Sequence, residues 1–221
     1  MRYPTTVIDN FFPNPDEVVK FMNRCAFEED LSMYPGKRSR HIHVLDKKLH
    51  DHLDYKICSL FKMEKAANLS SCYFFQKIEP DFPKYDERNC GMIHVDSPCD
   101  MGGVIYLDRD PDPDAGTSTY TTKTQGAHIS KEANRIWWDL YEGKDIDVEK
   151  YKKEYHNYTD QFEEAVTVKN RYNRLILFDG TTWHRCPTHG DRTRHTIVFF
   201  FGDASIGPDR ENNAPPLHRF L

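Results

Sequence analysis

Long hydrophobic runs are missing from this chain of 221 residues. No apolar run approaches the roughly 20 residues that a helix needs to cross a bilayer, and the N-terminus has no secretory signal pattern. A basic stripe is missing as well, and the formal net charge is −5. We therefore expect no association with membranes and no binding of nucleic acids.

Cysteine is sparse, because the six cysteines are scattered and none forms a Cys-x-x-Cys pair. Without a secretory signal, this pattern indicates reduced thiols and a cytoplasmic location rather than a disulfide framework. Internal repeats, low-complexity tracts and linkers are also missing. Since 38% of the residues are hydrophobic, the chain can build a packed core. We predict one domain over residues 1–221.

The N-terminal third of the sequence favours helices. Residues 3–12 have the pattern of an entry strand. A helix is predicted to begin after Asn14, because Pro15 suits the first helical position and two acidic residues follow it. Apolar residues at helical spacing predict a second helix over residues 47–62.

From Leu69 onward the sequence favours β-structure, because short β-branched or aromatic runs alternate with turn-rich stretches. The predicted strands are residues 71–78, 91–94, 103–107, 165–168, 175–178 and 196–201. A charged segment at residues 130–158 predicts a helical insertion between strands. Helices followed by many short strands indicate an α+β fold, mainly β, with a barrel or sandwich core.

The motif His-x-Asp can supply two metal ligands, because residues i and i+2 of a strand point to the same side. It begins at His52, His94 and His189. In a chain with 11 histidines and 22 aspartates, about one copy of so short a motif is expected by chance. The first copy lies in a predicted helix, where residues two apart point to nearly opposite faces. The third lies in a predicted tight turn. Only His94 and Asp96 close a predicted strand, so this copy has the geometry for a metal site.

A third ligand and an anion-binding residue follow later in the chain. A ferrous site needs two imidazoles and one carboxylate on one face, and His184, after a predicted strand and turn, completes that set. Arg194 enters a very apolar strand, where a guanidinium is costly unless an anion meets it. A bound dicarboxylate is such an anion, since arginine grips a carboxylate through two parallel hydrogen bonds. The hydroxyl of Thr196 would share the face of Arg194.

These residues resemble the 2-oxoglutarate/Fe(II)-dependent dioxygenase superfamily, most closely its prolyl-4-hydroxylase-like branch. That branch carries His-x-Asp, a distal histidine, and an arginine or lysine shortly after it. The resemblance is good over residues 91–122 and 166–203, and general or absent elsewhere. Residues 104–110 are similar to the family's Tyr-Leu-Asn/Asp strand. Residues 114–118 are similar to its Gly-Gly-x-Thr turn, with Ala115 in place of the first glycine.

The resemblance implies a double-stranded β-helix (jelly-roll, cupin-like) core with the N-terminal helices packed on its major sheet. It implies Fe(II) bound by His94, Asp96 and His184, with 2-oxoglutarate and O2 as co-substrates and ascorbate as a further cofactor. The implied reaction couples oxidative decarboxylation of 2-oxoglutarate to hydroxylation of a small-molecule or peptide substrate. A prolyl residue, another peptidyl residue and a free amino acid are the candidate substrates.

The resemblance also implies which residues hold the co-substrate. Arg194 would bind a carboxylate of 2-oxoglutarate, Tyr106 would hydrogen-bond the same carboxylate, and Thr196 would lie beside them. Tyr85 is a second candidate tyrosine, although residues 81–89 depart from the family pattern. The alternatives are a core aromatic for Tyr106 and a structural ion pair for Arg194.

Two other functions stay open on the sequence. One is a catalytically silent jelly-roll that binds a metal or a ligand, and the other is a zinc hydrolase with the same three ligands. Arg194 and Thr196 count against both, because neither function requires a buried guanidinium next to the metal. A hydrolase would also need a general base near the metal-bound water, and the spacing identifies none.

Three further segments carry weaker expectations. Residues 40–44 place two histidines on one face of a predicted strand, but no third ligand is placed for them, so we expect a surface or substrate-facing strand. The basic loop at residues 34–40 either is solvated or covers the substrate. Trp137 and Trp138 are expected to dock the insertion onto the core, with a lid as the alternative.

Overall fold

Five ranges of the chain are described by the structure, a computed structural model: residues 4–28, 34–60, 69–96, 98–123 and 126–203. In chain order the elements are β1 (Thr6–Ile8), α1 (Pro15–Met22), β2 (Lys37–Arg38), α2 (Ile42–Leu45), α3 (Lys47–Leu60), β3 (Leu69–Ile78), β4 (Met101–Tyr106), β5 (Thr117–Thr122), α4 (Lys131–Tyr141), α5 (Val148–Thr159), β6 (Phe162–Val168), β7 (Leu175–Asp179), β8 (Trp183–Arg185) and β9 (Arg194–Asp203). None of the helices in these ranges has the length and apolar character needed to span a membrane.

The strands form two antiparallel sheets. The large sheet has the order β1-β7-β4-β9-β3-β2, and the small sheet has the order β6-β5-β8. The longest pairing joins β3 and β9, with Ile78 opposite Arg194 at one end. The chain is therefore mainly antiparallel β with helices, which confirms the predicted class at this level.

One face of the large sheet is buried under the N-terminal helices. Because side chains alternate along a strand, every second residue of β3, β4, β7 and β9 points to this face. The sheet contributes Tyr73, Phe75, Ile105, Leu177 and Phe199 to this core. The apolar stripes of α1 and α3 cover them with Val18, Met22, Leu53 and Ile57.

The small sheet lies across the opposite face of the large one. There Tyr106, Ile176 and Phe178 pack against Val168 of β6. The hydroxyl of Tyr106 shares a hydrogen bond of 2.8 Å with the hydroxyl of Thr117 on β5. Three residues that the sequence marks as functional, Tyr106, Arg194 and Thr196, lie on this inner face.

The predicted helical insertion is present as α4 and α5. Ser130 caps α4 by accepting a hydrogen bond from the amide of Ala133, and Asp147 caps α5 in the same way. Trp137 is buried with aromatic residues of α5 and the small sheet, including Tyr158 and Phe162. The ring contacts of Trp137 are with tyrosines of α5, so it joins the two helices of the insertion, and Tyr158 in turn contacts Phe162 of β6. Trp138 is half-buried.

Two predicted strands are wrong. Residues 40–44 form no strand, since the amides of Val44 and Leu45 donate to the carbonyl of His41 and start α2. Residues 91–94 form no strand either, and His94 makes a single isolated bridge. Both errors have one cause, because an apolar run of four or five residues does not distinguish a helical turn, a strand and a side-chain-anchored loop.

Three short strands were missed, namely β2, β5 and β8. β5 consists of threonine and serine with one tyrosine, and the other two have two and three residues, so hydrophobic alternation marks none of them. Two predicted boundaries fall on residues outside the described ranges. These are residue 3 of the entry strand and residues 61–62 of the second helix.

Candidate metal centre

His94 and His184 are joined by their backbones. Each amide donates to the other residue's carbonyl, at 3.0 Å and 2.9 Å, in an isolated antiparallel bridge. The two imidazole rings consequently lie side by side, with their centroids 4.3 Å apart. His184 lies on β8, so this bridge attaches the His94 segment to the edge of the small sheet.

The hydrogen bonds of the two rings determine which nitrogen is available. Nδ1 of His94 donates to the carbonyl of Met92 at 2.8 Å, and Nδ1 of His184 donates to the carbonyl of Thr182 at 2.9 Å. Since a carbonyl only accepts, Nδ1 carries the proton in both rings and Nε2 presents a lone pair. This is the tautomer and orientation that a metal ion requires.

Asp96 brings its carboxylate to both Nε2 atoms. Oδ1 lies 3.5 Å from Nε2 of His94, and Oδ2 lies 3.5 Å from Nε2 of His184. Its backbone is fixed, because its amide donates to the carbonyl of Gly180 at 2.8 Å. A Cβ at Gly102 of β4 would lie 2.4 Å from Oδ2. Glycine at position 102 therefore makes the room in which the carboxylate lies.

The electrostatics of the trio favour a cation. Burial lowers the pKa of His184 to about 4, so this imidazole is neutral. Burial raises the pKa of Asp96, but the two histidines outweigh it and the pKa is lowered. For His94, burial lowers the pKa, and the hydrogen bond and charge of Asp96 raise it above its ordinary value. The site thus holds a carboxylate that attracts positive charge.

The three donor atoms lie within 4.8 Å of one another, and no other such trio occurs among the described residues. Two imidazoles and one carboxylate form a donor set suited to ferrous iron. The His94 side chain is 31% exposed, whereas those of Asp96 and His184 are 7% and 9% exposed. The trio is therefore reached from the His94 side.

Arg194 lies buried on the same inner face, at the start of β9. It is 5% exposed, its Nε donates to the carbonyl of Ala115 at 2.9 Å, and its guanidinium lies 5.5 Å from the ring centroid of Tyr106. Among the described residues no carboxylate pairs with it. The described residues therefore give no support to the alternative that Arg194 forms a structural ion pair. Burial also raises the pKa of Tyr106 to about 12, so its hydroxyl remains a donor.

Thr196 adds an unsatisfied hydroxyl beside this guanidinium. It is 0% exposed and lies directly opposite Tyr106 on β4, and its Oγ1 has no hydrogen-bond partner among the described residues. A buried hydroxyl without a partner costs free energy, as does a buried guanidinium without an anion. A ligand with carboxylate oxygens satisfies both. The residues present therefore fit a bound dicarboxylate.

Tyr85 and His189 depart from the expectations. Tyr85 is 83% exposed and its ring contacts Lys84, and the structure describes no contact between it and Arg194. His189 was set aside as a chance copy of His-x-Asp, but it is buried near Arg194 and its Nδ1 has no partner among the described residues. Burial and the Arg194 charge lower its pKa to about 3. No signal in the sequence placed His189 there.

The helical insertion holds the segment that carries His94. Two tyrosine hydroxyls of α5 donate to this segment, from Tyr151 to the carbonyl of Glu87 at 2.8 Å and from Tyr158 to the carbonyl of Ile93 at 2.6 Å. The bond to Ile93 and the bond from the amide of Gly91 to the carbonyl of Cys186, at 2.9 Å, hold residues 91–94 although they form no strand. They position the backbone next to the first histidine.

The insertion is also tied to the second histidine through Arg185. Its guanidinium donates to the hydroxyls of Tyr120 and Tyr155, both at 2.9 Å. Tyr120 belongs to β5 and Tyr155 belongs to α5, so this half-buried side chain joins the small sheet to the insertion. Since Arg185 directly follows His184, the same contacts restrain β8 where it carries the ligand.

Comparison with known proteins gives a family and a fold. Residues 1–191 match the family described as "Family of unknown function (DUF6445)". No curated protein matches the sequence. Among solved structures, the chain is similar to HygX from Streptomyces hygroscopicus with nickel and 2-oxoglutarate bound. The TM-score is 0.58 and the identity 11%, over 96% of this chain and 91% of that one.

Two further structures have the same fold. A prolyl-4-hydroxylase from Pseudomonas putida has a TM-score of 0.51 and 10% identity, over 90% of this chain and 92% of that one. The non-heme alpha ketoglutarate dependent epimerase SnoN from nogalamycin biosynthesis has a TM-score of 0.54 and 12% identity, over 96% of this chain and 87% of that one. The chain therefore has the fold of the 2-oxoglutarate/Fe(II) oxygenases, including prolyl-4-hydroxylases. The resemblance noted in the sequence is confirmed at that level.

The contact between Tyr158 and Ile93 predicts an effect on metal binding. Removing the hydroxyl in Tyr158→Phe frees the backbone next to His94, so we expect roughly 10-fold weaker binding of Ni(II). Calorimetric titration of the metal-free chain measures this. The control is Tyr172→Phe, which removes a hydroxyl that donates to Asp16 of α1. Equal affinities for Tyr158→Phe and the wild type would contradict the positioning role.

The buried His189 predicts a dependence of stability on pH. Its pKa is about 3 in the folded chain against an ordinary value of 6.5. The unfolded chain therefore binds a proton below pH 6.5 that the folded chain does not, and the free energy of unfolding falls as the pH falls from 6.5 towards 3. Between pH 7 and pH 5 this residue alone accounts for a loss of about 2 kcal/mol.

Urea denaturation of the metal-free chain at pH 7 and pH 5 tests this assignment. His189→Asn has no titrating group at this position, so its loss of stability should be smaller than that of the wild type by about 2 kcal/mol. The comparison is between the two pH values, so a uniform change in stability does not affect it. The same loss in both proteins would show that His189 titrates normally.

Proposed function

The chain belongs to the DUF6445 family, and we propose that it is a non-haem Fe(II) oxygenase that couples oxidative decarboxylation of 2-oxoglutarate to hydroxylation of a substrate. One observation carries the proposal. The chain combines the trio of His94, Asp96 and His184 with a buried arginine on the inner face of the large sheet, and this arginine has no carboxylate partner among the described residues. A metal site alone explains the trio, but it does not explain Arg194.

We infer that the whole chain forms one domain with a double-stranded β-helix core. The large sheet would be its major sheet, with α1 and α3 on the outer face, and the small sheet would be its minor sheet. The contact of Tyr106 with Thr117 across the two sheets supports this arrangement. In such a core the inner face of the major sheet provides the floor of the active site.

The trio would bind the iron. Nε2 of His94, Nε2 of His184 and a carboxylate oxygen of Asp96 are the donor atoms, and Gly102 keeps the space beside the carboxylate open. The iron and 2-oxoglutarate, when bound, would supply the activation of O2 for hydroxylation of a C–H bond. The protein's part is to hold two neutral imidazoles and one anion in a fixed arrangement.

Arg194, Thr196 and Tyr106 would hold 2-oxoglutarate. The guanidinium would bind the distal carboxylate through two hydrogen bonds, and the hydroxyls of Thr196 and Tyr106 would donate to the same group. Because Arg194 and Thr196 are buried, this carboxylate would be removed from water, where a charge-assisted hydrogen bond is stronger. Tyr85 is not placed in this set, because its ring is exposed.

The fold does not identify the chemical class of the prime substrate. A prolyl residue, another peptidyl residue and a free amino acid are the candidates, and the likeness to a prolyl-4-hydroxylase supports the first two at the level of fold. A catalytically silent module that binds metal and ligand is the second candidate function. Succinate release in the presence of O2 would distinguish catalysis from binding alone.

Anaerobic addition of Fe(II) and then 2-oxoglutarate tests the proposal. We expect a metal-to-ligand charge-transfer band in the wild type and no band in Asp96→Ala or His184→Ala. Arg194→Ala should require at least about 10-fold more 2-oxoglutarate, with an unchanged iron requirement. Arg192→Ala, which removes a half-exposed arginine two residues away, is the matched control.

Two results would overturn the assignment. One is the absence of the band in the wild type, and the other is its survival in the Asp96 or His184 variant. If Arg194→Ala changed the requirements for iron and for 2-oxoglutarate equally, Arg194 would be structural rather than a co-substrate residue.

A further inference from the structure

A row of polar side chains crosses the inner face of the large sheet. Tyr106 on β4 lies opposite Thr196 on β9, Thr196 lies opposite Gln76 on β3, and Gln76 lies opposite Arg38 on β2. Residues directly opposite each other in antiparallel strands point to the same face. Arg38 therefore projects to the same side as Thr196 and Tyr106, from the far edge of the sheet.

The side chain of Arg38 extends over the sheet towards the metal trio. Its guanidinium carbon lies 5.4 Å from the ring centroid of Phe74 on β3 and 5.8 Å from that of Phe200 on β9. Phe200 is opposite Gly102, the glycine under the carboxylate of Asp96. Besides burial and the two histidines, the charge of Arg38 acts on the pKa of Asp96 and lowers it. The guanidinium is therefore a neighbour of the trio.

A tyrosine fixes the orientation of this guanidinium. The Arg38 guanidinium carbon lies 3.6 Å from the ring centroid of Tyr34, which places the two groups in a cation–π stack. Stacking uses the flat face of a guanidinium, whereas its N–H groups point outward in its plane. An oxyanion can be gripped in that plane without disturbing the stack. This geometry differs from that of a surface arginine that samples many rotamers.

The two arginines on this face lie at different positions of the large sheet. Arg194 starts β9, and Arg38 lies on β2 with β3 between them, which separates their backbones by about 10 Å. Arg194 is buried in the pocket of Thr196 and Tyr106, whereas Arg38 is only partly buried. Arg38 is therefore placed to meet a different molecule from the one that Arg194 would hold.

We propose that Arg38 recognises an anionic oxygen group of the prime substrate, a carboxylate or a phosphate, and holds it beside the metal trio. The inference rests on the proposed function and narrows its substrate class. A free amino acid or another small acid meets this requirement, whereas an internal residue of a neutral peptide does not. The basic loop at residues 34–40 would accordingly face the substrate through Arg38.

Binding to the loaded chain tests the proposal without relying on turnover. The chain is saturated with Ni(II) and 2-oxoglutarate, and each of the free L-amino acids, their α-amides and inorganic phosphate is titrated by calorimetry. We expect the wild type to bind at least one acid or phosphate. An amide should bind at least about 10-fold more weakly than its acid, because it lacks the charge. The acid and phosphate titrations identify which anion is preferred.

Three variants assign this binding to Arg38. Arg38→Met keeps an apolar stem against Phe74 and should lose at least about 10-fold in affinity for that anion. It should bind Ni(II) and 2-oxoglutarate no more weakly than the wild type does, because it removes a positive charge next to a cation site. Arg38→Lys keeps the charge but lacks the planar fork, so it should lie between the wild type and Arg38→Met. Arg135→Met is the control, since it removes an exposed arginine of α4.

Several results would overturn the inference. The first is that no compound of the panel binds the wild type. The second is that amides bind as tightly as the corresponding acids, and the third is that Arg38→Met binds the anion with the wild-type affinity. A variant that instead loses Ni(II) or 2-oxoglutarate would show that Arg38 supports Asp96 and not the substrate. If the wild type forms no Fe(II)–2-oxoglutarate band, the proposed function itself fails, and that measurement is separate from these titrations.

Discussion

The candidate site depends on two backbone hydrogen bonds between His94 and His184. They join a segment that belongs to neither sheet to the edge of the small sheet, and they place the two imidazoles side by side. All other features of the trio follow from that placement. The Nδ1 bonds rotate each Nε2 inward, and Asp96 reaches both nitrogens because β4 has a glycine beneath it. Tyr158 of α5 holds the same segment through its hydrogen bond to the carbonyl of Ile93.

The inner face of the large sheet combines two kinds of surface. Apolar side chains such as Val104, Ile176 and Phe178 give it the character of a core, yet the same face carries buried polar groups at Arg194 and Thr196. Departures of this kind from apolar packing are expected at functional sites. A buried guanidinium without an ion-pair partner in the described residues is tolerated where a bound ligand supplies the negative charge. The polar row from Tyr106 to Arg38 extends this character towards the sheet edge.

Much of the fold and most of the site could be predicted from the sequence. The long strands β3 and β9 contain β-branched or aromatic runs, and α3 has apolar residues at helical spacing. Helix geometry also excludes the His-x-Asp copy at His52. The sequence did not reveal β5 or β8, because a threonine-rich or three-residue strand lacks hydrophobic alternation. It also did not reveal that residues 91–94 are anchored by distant tyrosines. His189 and Arg38 acquire their positions only through tertiary pairing, so no local pattern marks them.

A crystal structure of the chain with Ni(II) and 2-oxoglutarate, with the metal located by its anomalous scattering, tests the central claim most directly. We predict a single metal bound by Nε2 of His94, Nε2 of His184 and an oxygen of Asp96, at about 2.0–2.2 Å. The distal carboxylate of 2-oxoglutarate should lie against the guanidinium of Arg194. A metal bound elsewhere, or 2-oxoglutarate bound without contact to Arg194, would contradict the account.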